Sequence, residues 1–169
     1  MDALEAILGR RSIRRYTESS VSDEAVETIM RAAMAAPSAN DNQPWRFIII
    51  NKREILDAIP AFHQYSAMLK QAPLAILVCG DKTAVSHSGY LYLDCSAATQ
   101  NMLLAVHALG LGAVWLGIYP REQRVAGIRN LLRLPDNLEP VALVSIGHPA
   151  EHKPPSQRFD KEKIRYNRW

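Results

Sequence analysis

Four arginines fall within six positions near the start of the chain. Residues 10–16 read Arg-Arg-Ser-Ile-Arg-Arg-Tyr, with no acidic residue among them. Like charges at this spacing repel one another, and an anion would relieve the repulsion because guanidinium groups fork onto phosphate oxygens. The Ser12 hydroxyl adds a donor to the same segment. The segment therefore predicts an anion-binding site, with a solvated basic face as the alternative.

A second polar cluster lies between two prolines. Residues 37–45 read Pro-Ser-Ala-Asn-Asp-Asn-Gln-Pro-Trp, a stretch dense in turn-forming residues and side-chain amides. A simple connection between two elements seldom needs two Asn, a Gln and a Trp. We therefore expect this loop to take part in recognition.

Motifs that would place the chemistry on the chain itself are missing. No GxGxxG follows the first predicted strand, so a Rossmann dinucleotide site is not expected. Neither a P-loop nor a GxSxG motif occurs, and the five histidines lack the spacing of metal ligands. We expect no metal and no catalytic side chain. Any reaction would depend on a bound cofactor that carries the chemistry.

Composition and charge favour a small anionic ligand over a polymer. The 169-residue chain has a net charge of +3, with basic residues clustered at 10–15 and 153–168. Aromatic residues are not interleaved with these clusters as base stacking would require, so nucleic acid is not expected. No apolar stretch has the length of a membrane span or of an export leader. Cys79 and Cys95 lie in apolar runs, which favours buried thiols and a cytoplasmic protein.

Hydrophobic periodicity predicts the elements that must position these residues. Apolar residues at helical spacing predict helices over residues 2–8, 23–36, 51–59, 63–71, 89–109 and 120–132. Short apolar, β-branched runs predict strands over residues 46–50, 74–79, 111–119 and 141–146. This order predicts one α/β or α+β domain in which helices sandwich a sheet.

The first and the longest predicted helices are both strongly apolar. In the first, Ala3, Leu4, Ile7 and Leu8 form a single stripe. The helix over residues 89–109 is apolar on most sides and rich in small residues, which would let another backbone approach closely. We expect it to lie deep in the protein and to pack against a second subunit.

Four motifs stand in order along nearly the whole chain. They are residues 10–16, residues 36–47 (Ala-Pro-Ser-Ala-Asn-Asp-Asn-Gln-Pro-Trp-Arg-Phe), residues 110–117 (Gly-Leu-Gly-Ala-Val-Trp-Leu-Gly), and the tail with Gly147-His148-Pro149, Lys153-Pro154-Pro155 and Arg158. Together they resemble the nitroreductase family of FMN enzymes. The resemblance implies an α+β fold with a central mixed β-sheet sandwiched by helices, in an intertwined homodimer. Residues 1–169 would form one FMN-binding domain, whose tail, residues 148–169, wraps the partner.

The same resemblance assigns one group of residues to the polar end of FMN. Arg10 and Ser12 would bind its phosphate, with Arg11 helping to hold the cofactor. Arg158 would close on the phosphate from the tail. Arg14 would reach the pyrimidine edge of the ring, where a fixed positive charge raises the readiness of the flavin to take hydride.

A second group would surround the ring and the ribityl chain. The residues that would come from the partner chain are Pro37, Ser38, Ala39 and Asn42. Leu116 and Gly117 would offer backbone at the ring, and Gln64 would place a side-chain amide near it.

The activity that the resemblance implies is an FMN-dependent NAD(P)H oxidoreductase. NADH or NADPH would reduce the flavin and leave, and a nitroaromatic, a quinone or a related small-molecule acceptor would then take two electrons in a ping-pong cycle. The alternative is a non-enzymatic protein whose arginines at 10–15 grip a nucleotide, a nucleic acid or another protein. That alternative explains the arginines but not the amide-rich stretch over residues 37–45 or the apolar helix over residues 89–109.

Overall fold

Five α-helices and four β-strands make up the computed structural model, which describes all residues 1–169. The helices are α1 (Ala3–Gly9), α2 (Asp23–Met34), α3 (Arg53–Ala58), α4 (Ser88–Ala108) and α5 (Glu122–Leu132). The strands are β1 (Trp45–Ile50), β2 (Leu74–Asp81), β3 (Gly112–Gly117) and β4 (Leu138–Gly147). The helix predicted over residues 63–71 is instead a turn followed by a 3₁₀ segment, Ala67–Lys70. The Ser66 hydroxyl donates to the His63 carbonyl at 2.7 Å and stabilises that turn.

The four strands form one sheet in the order β1-β2-β4-β3. Every neighbouring pair is antiparallel. The predicted α+β fold is confirmed, but the sheet is antiparallel and not mixed. The chain crosses from β2 to β3 through α4, and these two strands run in the same direction, yet β4 lies between them and pairs with both. An isolated bridge between Ser12 and Ala113 is the one parallel pairing.

Helices cover both faces of the sheet. Successive side chains of a strand point to opposite faces, so neighbouring residues of β2 enter different cores. Ile76 packs in the core formed with α2 and α4, whereas Leu77 packs in the core formed with α3 and α5. Both side chains are fully buried. The order of the layers is therefore helices, sheet, helices, as the periodicity predicts.

Both cysteines lie in this interior and are unpaired, as expected. Cys79 is on β2 and Cys95 is on α4. Burial raises the pKa of each thiol to about 12. Because the thiolate is the reactive form, neither residue can serve as a nucleophile near neutral pH.

The apolar stripe of α1 is on the outside of the chain. Leu4, Ile7 and Leu8 keep 68%, 51% and 68% of their surface exposed, and Ala6 is the buried residue of this helix. The stripe therefore has no partner within a single chain. None of the helices combines the length and the hydrophobicity needed to span a bilayer.

Candidate functional site

The arginine segment, residues 10–16, runs along the beginning of β3. Ser12 forms its bridge with Ala113, and the Ile13 amide donates to the Ala113 carbonyl at 2.9 Å. Ile13 is buried against Gly112, where an added Cβ would lie 2.7 Å from the Ile13 side chain. The close contact requires glycine at position 112. The contact between Ile13 and Gly112 holds the segment against the sheet. The arginines on either side of Ile13 therefore project from a fixed backbone.

The beginning of the tail packs against the other side of this segment. Lys153 Nζ donates to the Ser12 carbonyl at 2.8 Å. The Glu151 carboxylate accepts a hydrogen bond from the Arg14 amide at 2.6 Å and lies 3.0 Å from Lys153 Nζ. These contacts place the first part of the tail against its own chain. That the rest of the tail wraps a partner stays a prediction.

Tyr16 anchors the end of the arginine segment in the core. Its hydroxyl donates to the Ile13 carbonyl at 2.8 Å and lies 2.7 Å from Ser145 Oγ on β4. Burial raises the pKa of Tyr16 to about 12, so the hydroxyl stays neutral. The segment is thus tied to both β3 and β4, which makes it a rigid support for the arginines.

Arg10, Arg11 and Arg158 gather positive charge without compensation. None of the three forms an ion pair with a carboxylate. Burial lowers the pKa of Arg10, and the charges of Arg158 and Arg11 lower it further. Nε of Arg10 is also buried without a hydrogen-bond partner. An anion would satisfy both the repelled charges and the unpaired donor.

Arg10 and Arg11 line a cavity of about 440 Å³ between α1, α4 and the tail, which we call the arginine cavity. Lys153 adds a third cationic side chain to its wall. Of its two carboxylates, Glu151 is paired with Lys153, and Glu5 accepts the Asp2 amide in the capping box of α1. Neither carboxylate forms an ion pair with Arg10 or Arg11, so these two guanidinium groups are the cations of the cavity that remain without a counter-charge.

Arg14 lines a separate cavity of about 410 Å³. Three other residues predicted for the site share its wall: Gln64, Leu116 and Gly117. We call it the histidine cavity, because His63 also lines it. The remaining wall consists of Tyr65, Ala67, Met68, Trp115 and Arg124. The structure thus brings together four predicted residues from three distant stretches of the sequence.

Gly117 leaves open space at the wall of the histidine cavity. An added Cβ at this position would meet no atom within 4 Å, and its backbone is outside the left-handed region. Nothing in the packing of the chain therefore explains glycine here, in contrast to Gly112. A glycine that faces an open cavity allows a flat molecule to approach the backbone closely.

The carbonyl of Gly117 accepts two hydrogen bonds. Arg124 Nη1 donates at 2.8 Å, and His63 Nε2 lies 3.1 Å away. Burial lowers the pKa of His63, and the charge of Arg124 lowers it further, so the imidazole is neutral near pH 7. Its Nδ1 is buried without a partner. The imidazole therefore keeps one buried hydrogen-bond acceptor without a partner in the chain.

The amide loop, residues 37–43, has a strained backbone. Three of its non-glycine residues have left-handed φ, namely Asn40 (53°), Asp41 (54°) and Gln43 (46°). Such residues cost about 1–3 kcal/mol each and persist where surrounding structure holds them. Ser38 Oγ accepts the Gln43 amide at 3.0 Å, and the Asp94 carboxylate of α4 accepts the Ala39 amide at 3.1 Å.

This loop lies apart from the arginine segment of its own chain. Pro37, Ser38, Ala39 and Asn42 line neither the arginine cavity nor the histidine cavity. A single chain therefore does not bring them together with the arginines. Their assignment to the site of a partner chain stays a prediction.

Five residues at or near the site are not among those that the sequence predicts: His63, Asp94, Trp115, Arg124 and Lys153. Trp115 and Lys153 belong to two of the motifs described above, so the sequence does carry a signal for them. His63 directly precedes Gln64, the residue predicted to place an amide near the ring. No local pattern marks Arg124 or Asp94, because each reaches its partner through tertiary packing.

The two cavities lie near opposite ends of β3. Ala113 lines the arginine cavity and Gly117 lines the histidine cavity. Four strand residues span roughly 13 Å. The arrangement can hold an elongated molecule with an anionic group at one end and a flat polar ring at the other. No cluster of three or more potential metal-ligating side chains is present.

Comparisons with known proteins give independent information on the chain. The model of the "Nitroreductase family" matches residues 7–65 and 60–148. A candidate NADH dehydrogenase/NAD(P)H nitroreductase of Methanothermobacter thermautotrophicus is 48% identical over 169 residues, which are 100% of this chain and 88% of the relative.

Solved structures resemble the fold closely. A candidate NADH dehydrogenase/NAD(P)H nitroreductase from Bacteroides thetaiotaomicron superposes with a TM-score of 0.95 at 43% identity, covering 99% of this chain and 98% of the other. A candidate nitroreductase from Desulfovibrio desulfuricans, solved in complex with FMN, has a TM-score of 0.86 at 38% identity. That comparison covers 100% of this chain and 99% of the other.

Proposed function

Because the chain belongs to the nitroreductase family, we propose that it is an FMN-dependent NAD(P)H oxidoreductase that reduces a small-molecule acceptor by two electrons. The observation that carries the proposal is the arginine segment, which joins a cavity lined by two arginines without carboxylate partners to a cavity with an open glycine wall. The relative solved with FMN supports the choice of cofactor.

The residues present fit FMN at its phosphate end. Arg10, Arg11 and Arg158 supply positive charge without carboxylate partners, and the buried Nε of Arg10 needs an acceptor. The Ser12 hydroxyl makes no hydrogen bond within the chain, so it is free to donate to the same group. Charge-assisted hydrogen bonds from guanidinium groups to phosphate are the strong kind. These four residues would hold the phosphate.

The residues of the histidine cavity fit the flavin ring. Arg14 is exposed and its guanidinium makes no hydrogen bond or ion pair within the chain, so it can reach the edge of a bound ring. Gln64 offers an amide, and Leu116 and Gly117 offer backbone at an open wall. FMN, when bound, supplies the hydride chemistry by taking two electrons from NAD(P)H and passing them to the acceptor. The role of Arg14 is to keep a positive charge beside the ring, which favours its reduction.

The proposal includes a homodimer of single-domain chains. The amide loop is held in a strained conformation and does not reach the arginines of its own chain. In a dimer, Pro37, Ser38, Ala39 and Asn42 of one chain would complete the site of the other. The exposed stripe of α1 supplies apolar surface for such an interface, and the exposed end of the tail would wrap the partner.

The acceptor that we propose is a nitroaromatic, a quinone or a related oxidant, reduced in a ping-pong cycle. Anaerobic reduction of the FMN-loaded protein by NADH and by NADPH, followed by mixing with a panel of such oxidants, tests this directly. We expect reduction without any oxidant present and reoxidation by at least one compound after the nucleotide has left. Failure of both nucleotides to reduce the bound flavin would refute the proposed activity.

A further inference from the structure

A third cavity, of about 420 Å³, adjoins the histidine cavity, and we call it the outer cavity. The residues that line it are Pro60, Ala61, Phe62, Gln64, Tyr65, Arg121, Glu122, Gln123 and Arg124. Of the five principal cavities, it alone shares wall residues with the histidine cavity, namely Gln64, Tyr65 and Arg124. A molecule seated in the histidine cavity can therefore extend directly into the outer cavity.

The outer cavity carries one free cation and one fixed cation. The Arg121 side chain is exposed and makes neither a hydrogen bond nor an ion pair within the chain. Arg124 is held at the boundary, because its Nη1 donates to the Gly117 carbonyl and its guanidinium carbon lies 5.5 Å from the centre of the Tyr65 ring. Glu122 is the single carboxylate on the wall. The formal charge of these side chains is therefore positive by one.

A dinucleotide reductant places two requirements on the protein around the flavin. Its nicotinamide must reach the ring in the histidine cavity, and its phosphates must then lie in an adjoining space, where positive charge would stabilise them. The arginine cavity is not such a space, since its cations would be occupied by the FMN phosphate and it shares no residue with the histidine cavity. The outer cavity adjoins the histidine cavity and carries a net positive charge.

We propose that the outer cavity binds the pyrophosphate of NAD(P)H, with Arg121 as its principal contact and Arg124 at the boundary with the flavin ring. The proposal rests on the function proposed above and adds a reductant site to it. It also assigns a function to a surface arginine that the chain itself does not use. Guanidinium forks suit a pyrophosphate better than an ammonium would, because they donate two parallel hydrogen bonds.

Binding of oxidised nucleotide to the FMN-loaded protein tests the site without turnover. Isothermal calorimetry with NAD⁺ and with NADP⁺ should give dissociation constants about three- to tenfold higher for Arg121→Gln than for the wild type. Glu122→Gln should lower the dissociation constants, because it removes a carboxylate that repels the pyrophosphate. Arg133→Gln is the matched control, since Arg133 follows the other end of α5, roughly 17 Å away along the helix.

A phosphate-free hydride donor separates this site from general damage to the flavin environment. The flavin bound to Arg121→Gln should be reduced by 1-benzyl-1,4-dihydronicotinamide at the wild-type rate. Its reduction by subsaturating NADH or NADPH should be slower than in the wild type, by the factor by which the dissociation constant is higher. Equal slowing with both kinds of donor would overturn the proposal. Unchanged nucleotide binding in Arg121→Gln would do so as well.

Different results would contradict the proposed function and the reductant site. If the wild-type protein does not bind FMN, or binds it and neither nucleotide reduces it, the proposed function and the reductant site both fall. If both nucleotides reduce the wild-type flavin and Arg121→Gln binds them as well as Arg133→Gln does, the reductant site alone is wrong.

Discussion

His63 Nε2 lies 3.1 Å from the carbonyl oxygen of Gly117, and this contact fixes the tautomer of a buried imidazole. A carbonyl oxygen can only accept, so Nε2 carries the proton and Nδ1 is left as an acceptor. Protonation of Nδ1 would create a buried donor without a partner. The geometry and the lowered pKa of His63 therefore agree that the ring is neutral in the folded state.

This neutrality predicts a pH dependence of stability. The unfolded chain takes up a proton on His63 near pH 6.5, whereas the folded chain does so only at lower pH. Between those values the unfolded state binds more protons, so the free energy of unfolding decreases as the pH falls below 6.5. His63→Gln keeps a donor for Gly117 and removes the titration. Urea unfolding across this range should show a shallower pH dependence for the variant, and parallel curves would contradict the neutral assignment.

Gly117→Ala should separate folding from cofactor binding. The added methyl group meets no atom of the chain, so we expect the free energy of unfolding to stay within about 1 kcal/mol of the wild type. FMN should bind at least about tenfold more weakly, because the methyl group would occupy space that the ring needs. Chemical unfolding of the apoprotein and a fluorescence titration with FMN measure the two effects.

Gly112→Ala is the matched control for that substitution. Its Cβ would lie 2.7 Å and 2.9 Å from side-chain atoms of Ile13, so the variant should lose about 1–3 kcal/mol of stability through overpacking. The reverse pattern, with Gly117→Ala unstable and still binding FMN normally, would show that Gly117 has a structural role instead.

Arg14→Ala should weaken FMN binding and lower the flavin reduction potential. Loss of one charge-assisted hydrogen bond costs about 1.5–3 kcal/mol, which corresponds to roughly ten- to a hundredfold in the dissociation constant. Arg15→Ala is the control, because Arg15 is exposed and lines none of the principal cavities. If Arg14→Ala matches this control in both FMN affinity and potential, Arg14 does not act beside the ring.

The apolar stripe of α1 predicts self-association. Sedimentation of the FMN-loaded protein at micromolar concentration should give a dimer, and Leu8→Glu should shift it towards the monomer by placing a charge in the interface. The same variant should bind FMN more weakly, since each site would need the amide loop of the partner. A folded, FMN-loaded monomer in the wild type would rule out the shared site.

Most of the fold could be predicted from the sequence, because its signals are local. The apolar run of β2 and the Ser22 cap of α2 depend on neighbouring residues, and both elements form where the pattern places them. The antiparallel character of the sheet is not local. It depends on β4 returning between β2 and β3, and no residue pattern encodes that insertion.

The residues of the candidate site likewise fall into those marked by a local pattern and those placed by tertiary packing. Arg14, Leu116 and Gly117 stand in recognisable motifs, and the structure places them around one cavity. Arg124 contacts Gly117 from α5, and His63 contacts it from a turn. That both side chains donate to one carbonyl could not be predicted from the spacing of residues in the sequence. The position of the amide loop relative to a partner chain depends on an interface, and the sequence of one chain does not define it.

The most direct test of the account is a titration of the purified apoprotein with FMN, followed by visible absorbance and by fluorescence of the free cofactor. We predict a yellow protein that retains one FMN per chain after gel filtration, with retention reduced in Arg10→Ala and in Arg14→Ala. A protein that is colourless after gel filtration away from added FMN would contradict the account. The arginine segment would then belong to a non-enzymatic anion-binding surface.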